Sequence, residues 1–189
     1  DVMRANIEIC AELGGEVLVH GSPAQRRLPD DEAGAAAART RAIEAFAAIA
    51  PDAEAGGVVY CIEALAAPMA NFVNSVAEAV EIVEAVGSPQ VRTMVDCCAA
   101  RAGGDDTVEH LIERWLPAGM LAHIQVNDSD RRGPGQGSDQ FADIIAALKR
   151  HDYKGWIAAE PFRYEPDGPT CAAAVAGYLR GLIEAVGSK

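Results

Sequence analysis

Five short apolar runs, separated by segments with helical periodicity, constrain the fold of this chain more than any other feature of its sequence. The segments between the runs place apolar residues three or four positions apart, which is the spacing along one face of an α-helix. Strands that alternate with crossover helices pair in parallel and are covered on both faces. The sequence therefore predicts an α/β fold with a parallel sheet, whose strands are EVLVH, GGVVYCIEA, VRTMVD, MLAHIQVND and GWIAAEPF.

Length and composition favour a single soluble domain over residues 1–189. Half of the 189 residues are hydrophobic, which is enough for a sizeable core. The formal net charge is −12, and an acidic surface repels phosphate backbones, so nucleic acid is not expected as a partner.

The sequence also lacks the features of a membrane or secreted protein. It contains no apolar run of about 18 residues, and its first residues, DVMRANIEIC, lack the basic and then apolar pattern of a secretion signal. The five cysteines lie mostly in apolar runs, where reduced and buried thiols are expected. A cytoplasmic location is therefore predicted.

Four of the five predicted strands end in polar side chains. These are Glu63, Asp96, the pair His123 and Gln125, and Glu160, separated by roughly 30 residues, the length of one strand and its helix. Because the carboxyl ends of parallel strands lie on the same rim, the four groups are expected to converge. Three carboxylates at one rim repel each other. A bound cation is the usual way to hold them together.

The residues around these polar groups resemble the xylose-isomerase-like (β/α)8 TIM barrel family, which includes sugar epimerases, hydroxypyruvate isomerase and inosose dehydratases. The spacing of His123 and Gln125 is similar to the H-x-Q version of the family's seventh strand, as in hydroxypyruvate isomerase. The matching stretches occur in the family's order, and they are YCIEAL, NSVAEAVEIVEAVGSPQVRTMVDCC, AHIQVNDSDRRGPGQG and GWIAAEPF.

The resemblance implies a metal site. In this family a Glu, an Asp, a His or Gln, and a second Glu hold one divalent metal. Because the corresponding donors here are all oxygen atoms, Mg²⁺ or Mn²⁺ suits the set better than zinc. The implied ligands are Glu63, Asp96, Gln125 and Glu160.

The resemblance also implies a reaction. The family's metal polarises a substrate carbonyl and stabilises an enediolate. Glu63 and Glu160 are then the catalytic pair, one removing a proton from carbon and the other returning it. We therefore expect a metal-dependent isomerase or epimerase of a small sugar or hydroxy-carbonyl compound. Its expected partner is a small-molecule substrate, and homo-oligomers are possible.

Three further residues are candidates for substrate contacts. His123 shares a strand face with Gln125 and could orient it, touch the substrate or reach the metal. Arg131 lies at the offset where family epimerases place a substrate-binding arginine, although a solvated loop arginine is the alternative. His20 ends the first predicted strand and could contact the substrate or pack in the core.

By this resemblance the chain holds only strands four to eight of a barrel. The AELGGEVLVHGSP stretch is similar to the third helix and fourth strand. The first three strand–helix units, roughly 80 to 90 residues, would be missing from a barrel of about 250. We expect the chain to belong to a longer barrel, because an open barrel would expose two strand edges and its own core. A compact open sheet is the alternative.

One departure from the family pattern bears on the reaction. The family commonly has D-x-x-H at the sixth strand, with the His contacting substrate, whereas DCCA places Ala99 there. The substrate must therefore differ, another residue must fill in, or the chain is a non-catalytic relative. A dehydratase of the inosose or dehydroshikimate type is a further alternative. The endonucleases that share this fold need more histidines than this chain offers.

Overall fold

The computed structural model describes residues 1–104 and 106–186 and confirms the alternation of strands and helices. The five strands are β1 (Val17–His20), β2 (Val59–Ile62), β3 (Val91–Asp96), β4 (Leu121–Gln125) and β5 (Ile157–Ala158). The helices are α1 (Val2–Glu12), α2 (Glu32–Gly56), α3 (Val76–Val86), α4 (Cys97–Gly103), α5 (Val108–Trp115), α6 (Ala142–Arg150) and α7 (Gly168–Val186), with a 3₁₀ turn at Ala24–Arg26. Asp105 and Gly187, at the ends of two predicted helices, lie outside the described residues.

The chain divides into two compact units, Asp1–Met94 and Val95–Lys189. In the first unit β1 pairs with β2 and β2 pairs with β3, both in parallel, so that His20 lies opposite Ile62 and Ile62 opposite Thr93. Helices α1, α2 and α3 pack in this unit, and its core contains Ile7, Phe46, Tyr60 and Val80. The parallel pairing is the one that the sequence predicts.

The second unit contains the last two residues of β3 together with β4 and β5. Strands β4 and β5 pair in parallel, with Gln125 opposite Ala158. The amide of Val126 continues this ladder by donating to the carbonyl of Ala158 (2.8 Å). Its core is formed by Ile112, Ile124, Phe141 and Ile144, none of them more than 1% exposed. No helix among residues 1–104 and 106–186 is long and apolar enough to cross a membrane.

Helix α2 is longer than its sequence pattern predicts. The stretch DDEAGAAAARTRAIEAFAAIA predicts a helix that ends at Ala50, and Pro51 after it lacks the amide proton that an interior helical residue donates. In the structure the helix continues through Pro51 to Gly56, and Gly57 ends it in the left-handed conformation (φ +65°). The buried face formed by Ile49, Ala50 and Ala53 runs past the proline, so tertiary packing overrides the local signal.

Two boundaries and one helix differ from the prediction in the second unit. The stretch SDQFADIIAALKRHDY predicts a helix capped by Ser138, but α6 begins at Ala142, where no described side chain caps it. Strand β5 ends at Ala158, which places Glu160 two residues beyond the strand. Helix α4 was not predicted, although the DCCAARAGG stretch carries its signals. The Asp96 side chain accepts from the amide of Ala99 (2.6 Å), and Gly104 ends the helix at φ +70°.

The start of α3 yields a testable prediction. Ser75 Oγ accepts a hydrogen bond from the amide of Glu78 (3.1 Å), which otherwise has no partner within the helix. Changing Ser75→Ala should therefore lower the free energy of unfolding by about 1 kcal/mol. Urea unfolding would measure this. Ser138→Ala is the matched control and should have little effect; an equal loss in both variants would contradict the capping role.

Candidate functional site

In the first unit, Glu63 directly follows β2 and is 8% exposed. A side chain on Gly21 would displace the Glu63 carboxylate, because a Cβ atom built on Gly21 would overlap Glu63 Oε2. The missing side chain at Gly21 thus leaves room for the Glu63 carboxylate beside the end of β1. The Gly21–Glu63 approach is a feature that the sequence alone did not indicate.

Arg26 is a buried cation that ties the ends of β1 and β2 together. Its guanidinium group donates to the carbonyls of Glu63 (2.6 Å), His20 (2.6 Å) and Ser22 (3.1 Å). Desolvation lowers the pKa of Arg26, while the charges of Glu63 and Glu78 act in the opposite direction. The sequence shows Arg26 only as half of an Arg-Arg pair, which carries no signal for burial.

His20 contacts residues of the core in the same unit. Its Nδ1 lies 2.8 Å from the hydroxyl of Tyr60, and its ring meets Phe46 of α2 edge to face at 5.4 Å between centroids. Desolvation and the charge of Arg26 lower the pKa of His20 from 6.5 to about 4, so the ring is neutral at pH 7. These contacts are those of the packing alternative, and a substrate contact by His20 remains a prediction.

In the second unit, Asp96 and Glu160 lie close together. Each offers a carboxylate oxygen within 4.8 Å of the other residue's oxygen. Asp96 is 8% exposed, and its two oxygens accept hydrogen bonds from the Ala99 amide (2.6 Å) and from Asn127 Nδ2 (2.7 Å). The structure therefore brings together two of the predicted ligands, although 63 positions separate them in the sequence.

The environment of both carboxyl groups favours their neutral forms. Desolvation raises the pKa of Asp96, and the hydrogen bonds from Ala99 and Asn127 oppose that shift. Desolvation and then the charge of Asp96 raise the pKa of Glu160. Like charges held this close cost free energy unless a proton or a cation compensates them.

His123 and Gln125 lie on one face of β4 and are buried, at 7% and 8% exposure. Among residues 1–104 and 106–186, no hydrogen-bond partner is found for His123 Nδ1 or Gln125 Oε1. Buried polar atoms in proteins are nearly always paired. Desolvation also lowers the pKa of His123, which keeps its ring neutral and able to accept a hydrogen bond or bind a cation.

These donors fit a hard divalent cation. Asp96 and Glu160 supply carboxylate oxygens within ion-sharing distance, and Gln125 supplies a buried amide oxygen that needs a partner. The Asp96 carboxylate has about four acceptor sites, so it can still bind a cation beside the hydrogen bonds from Ala99, Cys98 and Asn127. The donor chemistry therefore fits a hard cation, and the ligand set itself stays a prediction.

Arg131 lies in the loop after β4 and has a left-handed backbone (φ 72°). Its carbonyl accepts hydrogen bonds from the amides of Phe162 (2.9 Å) and Arg163 (3.0 Å), beyond Glu160. Its guanidinium carbon lies 5.0 Å from the centre of the Phe162 ring. Arg131 is exposed, so a substrate contact stays a prediction for this side chain.

The same loop is organised by a fully buried carboxylate. Asp128 is 0% exposed and accepts hydrogen bonds from the amides of Asp139 (3.0 Å) and Asp130 (3.4 Å). A Cβ atom on Gly137, the last residue of GPGQG, would overlap the Asp128 carboxylate. The absence of a side chain at Gly137 therefore permits the loop to close around this carboxylate. The conformation of the loop is thus fixed by hydrogen bonds between its own residues.

Comparisons with known proteins show the family to which this chain is similar. The family described as "Xylose isomerase-like TIM barrel" matches residues 1–182. D-psicose 3-epimerase of Agrobacterium fabrum is 32% identical over 140 residues, which are 74% of this chain and 46% of the epimerase. The chain therefore spans less than half of the length of that relative.

Solved structures share the fold. A structure of L-ribulose 3-epimerase superposes with a TM-score of 0.79 at 21% identity, covering 98% of this chain and 67% of that one. The IolI protein, solved with a bound zinc atom, gives a TM-score of 0.75 at 19% identity, covering 98% and 69%. These likenesses confirm the predicted TIM-barrel fold class.

The environment of His20 predicts a pH dependence of stability. The folded chain binds a proton on His20 only near pH 4, whereas the unfolded chain binds it near 6.5. Lowering the pH through this range therefore favours unfolding, by at most about 3 kcal/mol from this group. In urea unfolding between pH 4 and 7, His20→Gln should lose less stability than the parent protein; equal losses would contradict the assignment.

Proposed function

Since this chain belongs to the xylose isomerase-like TIM barrel family, we propose that it functions as a divalent-metal-dependent isomerase or epimerase of a small sugar or hydroxy-carbonyl compound. The observation that carries the proposal is the approach of Asp96 and Glu160, whose carboxylate oxygens lie within 4.8 Å. The naming of a relative as a D-psicose 3-epimerase supports the same class of substrate.

The proposed ligands are Glu63, Asp96, Gln125 and Glu160. An all-oxygen set favours Mg²⁺ or Mn²⁺ over softer metals. When bound, the cation supplies Lewis-acid stabilisation of the negative charge that develops on the substrate oxygens. The buried Oε1 of Gln125 has no hydrogen-bond partner in the described part of the chain, which supports its inclusion as a ligand.

The two glutamates are proposed to move the proton. One carboxylate removes a proton from the carbon next to the carbonyl, and the other returns a proton to the opposite face or to the neighbouring carbon. The raised pKa of Glu160 favours this role, because a base with a pKa closer to neutrality also works as an acid at pH 7. His123 and Arg131 are proposed to bind substrate oxygens.

A dehydratase is the alternative that Ala99 favours. A methyl group at this position cannot donate a hydrogen bond to a substrate hydroxyl, which changes the surroundings of a departing group. Incubation with Mn²⁺ and D-psicose or hydroxypyruvate in heavy water separates the reactions. Incorporation of deuterium at carbon, followed by NMR, supports isomerisation. Growth of a conjugated ultraviolet chromophore supports dehydration.

Glu160→Gln tests the ligand and catalytic roles together. The change should weaken Mn²⁺ binding, measured by calorimetry, and abolish turnover. In the metal-free protein at pH 7 it should instead raise the free energy of unfolding, because the ionised form of Glu160 is disfavoured in the folded state.

Glu165→Gln is the matched control for this test. Glu165 is exposed and pairs with Arg163 (3.0 Å), so its change should leave Mn²⁺ binding and turnover unaltered. If Glu160→Gln binds Mn²⁺ and turns over substrate as the parent protein does, the proposed function is wrong.

Gly21→Ala tests the placement of Glu63. The new methyl group would overlap Glu63 Oε2, the end of a flexible side chain that can move aside, so stability should change little. The displaced carboxylate should weaken Mn²⁺ binding by roughly tenfold. Gly177→Ala, in open space on α7, is the control and should stabilise the fold without changing Mn²⁺ affinity.

A further inference from the structure

Asn127 is a buried amide placed between two of the proposed ligands. It lies two residues beyond β4 and is 2% exposed. Its Nδ2 atom donates to Asp96 Oδ2 at 2.7 Å, and its Oδ1 atom accepts from the backbone amide of Glu160 at 2.5 Å. One side chain thus spans from the end of β3 to the segment after β5.

The orientation of this amide is determined by its partners. The backbone nitrogen of Glu160 only donates, so it requires the oxygen of Asn127. The Asp96 carboxylate accepts, so it requires the nitrogen. Rotating the amide by half a turn would place donor against donor and acceptor against acceptor. Neither an apolar side chain nor a carboxylate of the same shape can supply both bonds.

We propose that Asn127 is a positioning residue that sets the separation of Asp96 and Glu160 for a divalent cation. The inference rests on the proposed function, since it assigns a purpose to the spacing of two proposed ligands. Asn127 itself touches neither substrate nor cation in this role. The Asn127 side chain orients the carboxylate of Asp96, and it positions Glu160 by accepting a hydrogen bond from the Glu160 backbone amide.

The two oxygens of the Asp96 carboxylate accept hydrogen bonds from different partners, which explains the role of Asn127. The Ala99 amide donates to Asp96 Oδ1 (2.6 Å) as the cap of α4. Asn127 fixes the other oxygen and so removes the rotation of the carboxylate about its own axis. Partners of this kind commonly determine metal affinity, because they select one orientation of the ligand before the cation arrives.

The experiment compares Mn²⁺ binding in the parent chain and in Asn127→Leu, both stripped with a chelator and then titrated calorimetrically below their unfolding temperatures. Leucine has a similar shape but makes neither hydrogen bond. The dissociation constant should rise about 10- to 100-fold. The electron paramagnetic resonance spectrum of bound Mn²⁺ should also change, which a loss of stability alone would not cause.

Asn71→Leu is the matched control. Asn71 likewise makes two side-chain hydrogen bonds, to the amide (2.9 Å) and carbonyl (3.0 Å) of Leu28, and its loss should leave Mn²⁺ affinity unchanged. If Asn127→Leu does not fold, Asn127→Ala, which admits water to the Glu160 amide, takes its place with the same expected result.

The outcomes separate this inference from the proposed function. A variant that binds Mn²⁺ as tightly as the parent overturns the role of Asn127 while leaving the metal site intact. A parent chain that binds no Mn²⁺ overturns the proposed function and this inference together. Weakened binding in Asn71→Leu equal to that in Asn127→Leu would show a general effect of lost stability and would also overturn the inference.

Discussion

The approach of Asp96 and Glu160 is the constraint around which the second unit is arranged. Their carboxylate oxygens lie within 4.8 Å, desolvation raises the pKa of both groups, and the charge of Asp96 further raises the pKa of Glu160. The fold holds them there with a capping bond from Ala99 and with the amide of Asn127. A chain stabilised only by core packing would gain from separating these charges. Their enforced proximity therefore supports the proposed binding of a divalent cation between them.

In the first unit, the carboxylate of Glu63 is held in place by different contacts. Glu63 is kept beside the end of β1 by the absence of a side chain at Gly21 and by Arg26, whose guanidinium group binds the carbonyls of the surrounding loop. A buried cation next to a carboxylate lowers the cost of keeping that carboxylate charged. The carboxyl groups of the two units thus have unlike environments, which suits a pair of glutamates with unlike roles in proton transfer.

The sequence predicts the parts of this arrangement that follow from periodicity. Polar residues at the ends of apolar runs located Glu63, Asp96 and Gln125 at the strand ends, because alternation along a strand and the parallel order leave few other placements. The predicted end of α2 is wrong, since the packing of Ala53 outweighs the local signal of Pro51. The predicted start of α6 is also wrong, since the burial of Phe141 outweighs the local signal of Ser138.

The contacts that position the proposed ligands within each unit could not be predicted in the same way. Asn127 and Arg26 act through hydrogen bonds to residues more than 30 positions away in the sequence, and an isolated Asn or Arg carries no mark of its distant partner. Periodicity locates elements, whereas such bonds depend on how loops from different elements meet. The close approach at Gly21 is likewise visible only once two strand ends are adjacent.

The left-handed backbone at Arg131 has a consequence for how this rim could change over evolution. Its carbonyl holds the amides of Phe162 and Arg163, so the loops that follow β4 and β5 are fastened to one another. A mutation that reshapes one loop displaces the other. A new conformation of one loop would then require matching replacements in the other, and a single exchange in either would first disturb its neighbour.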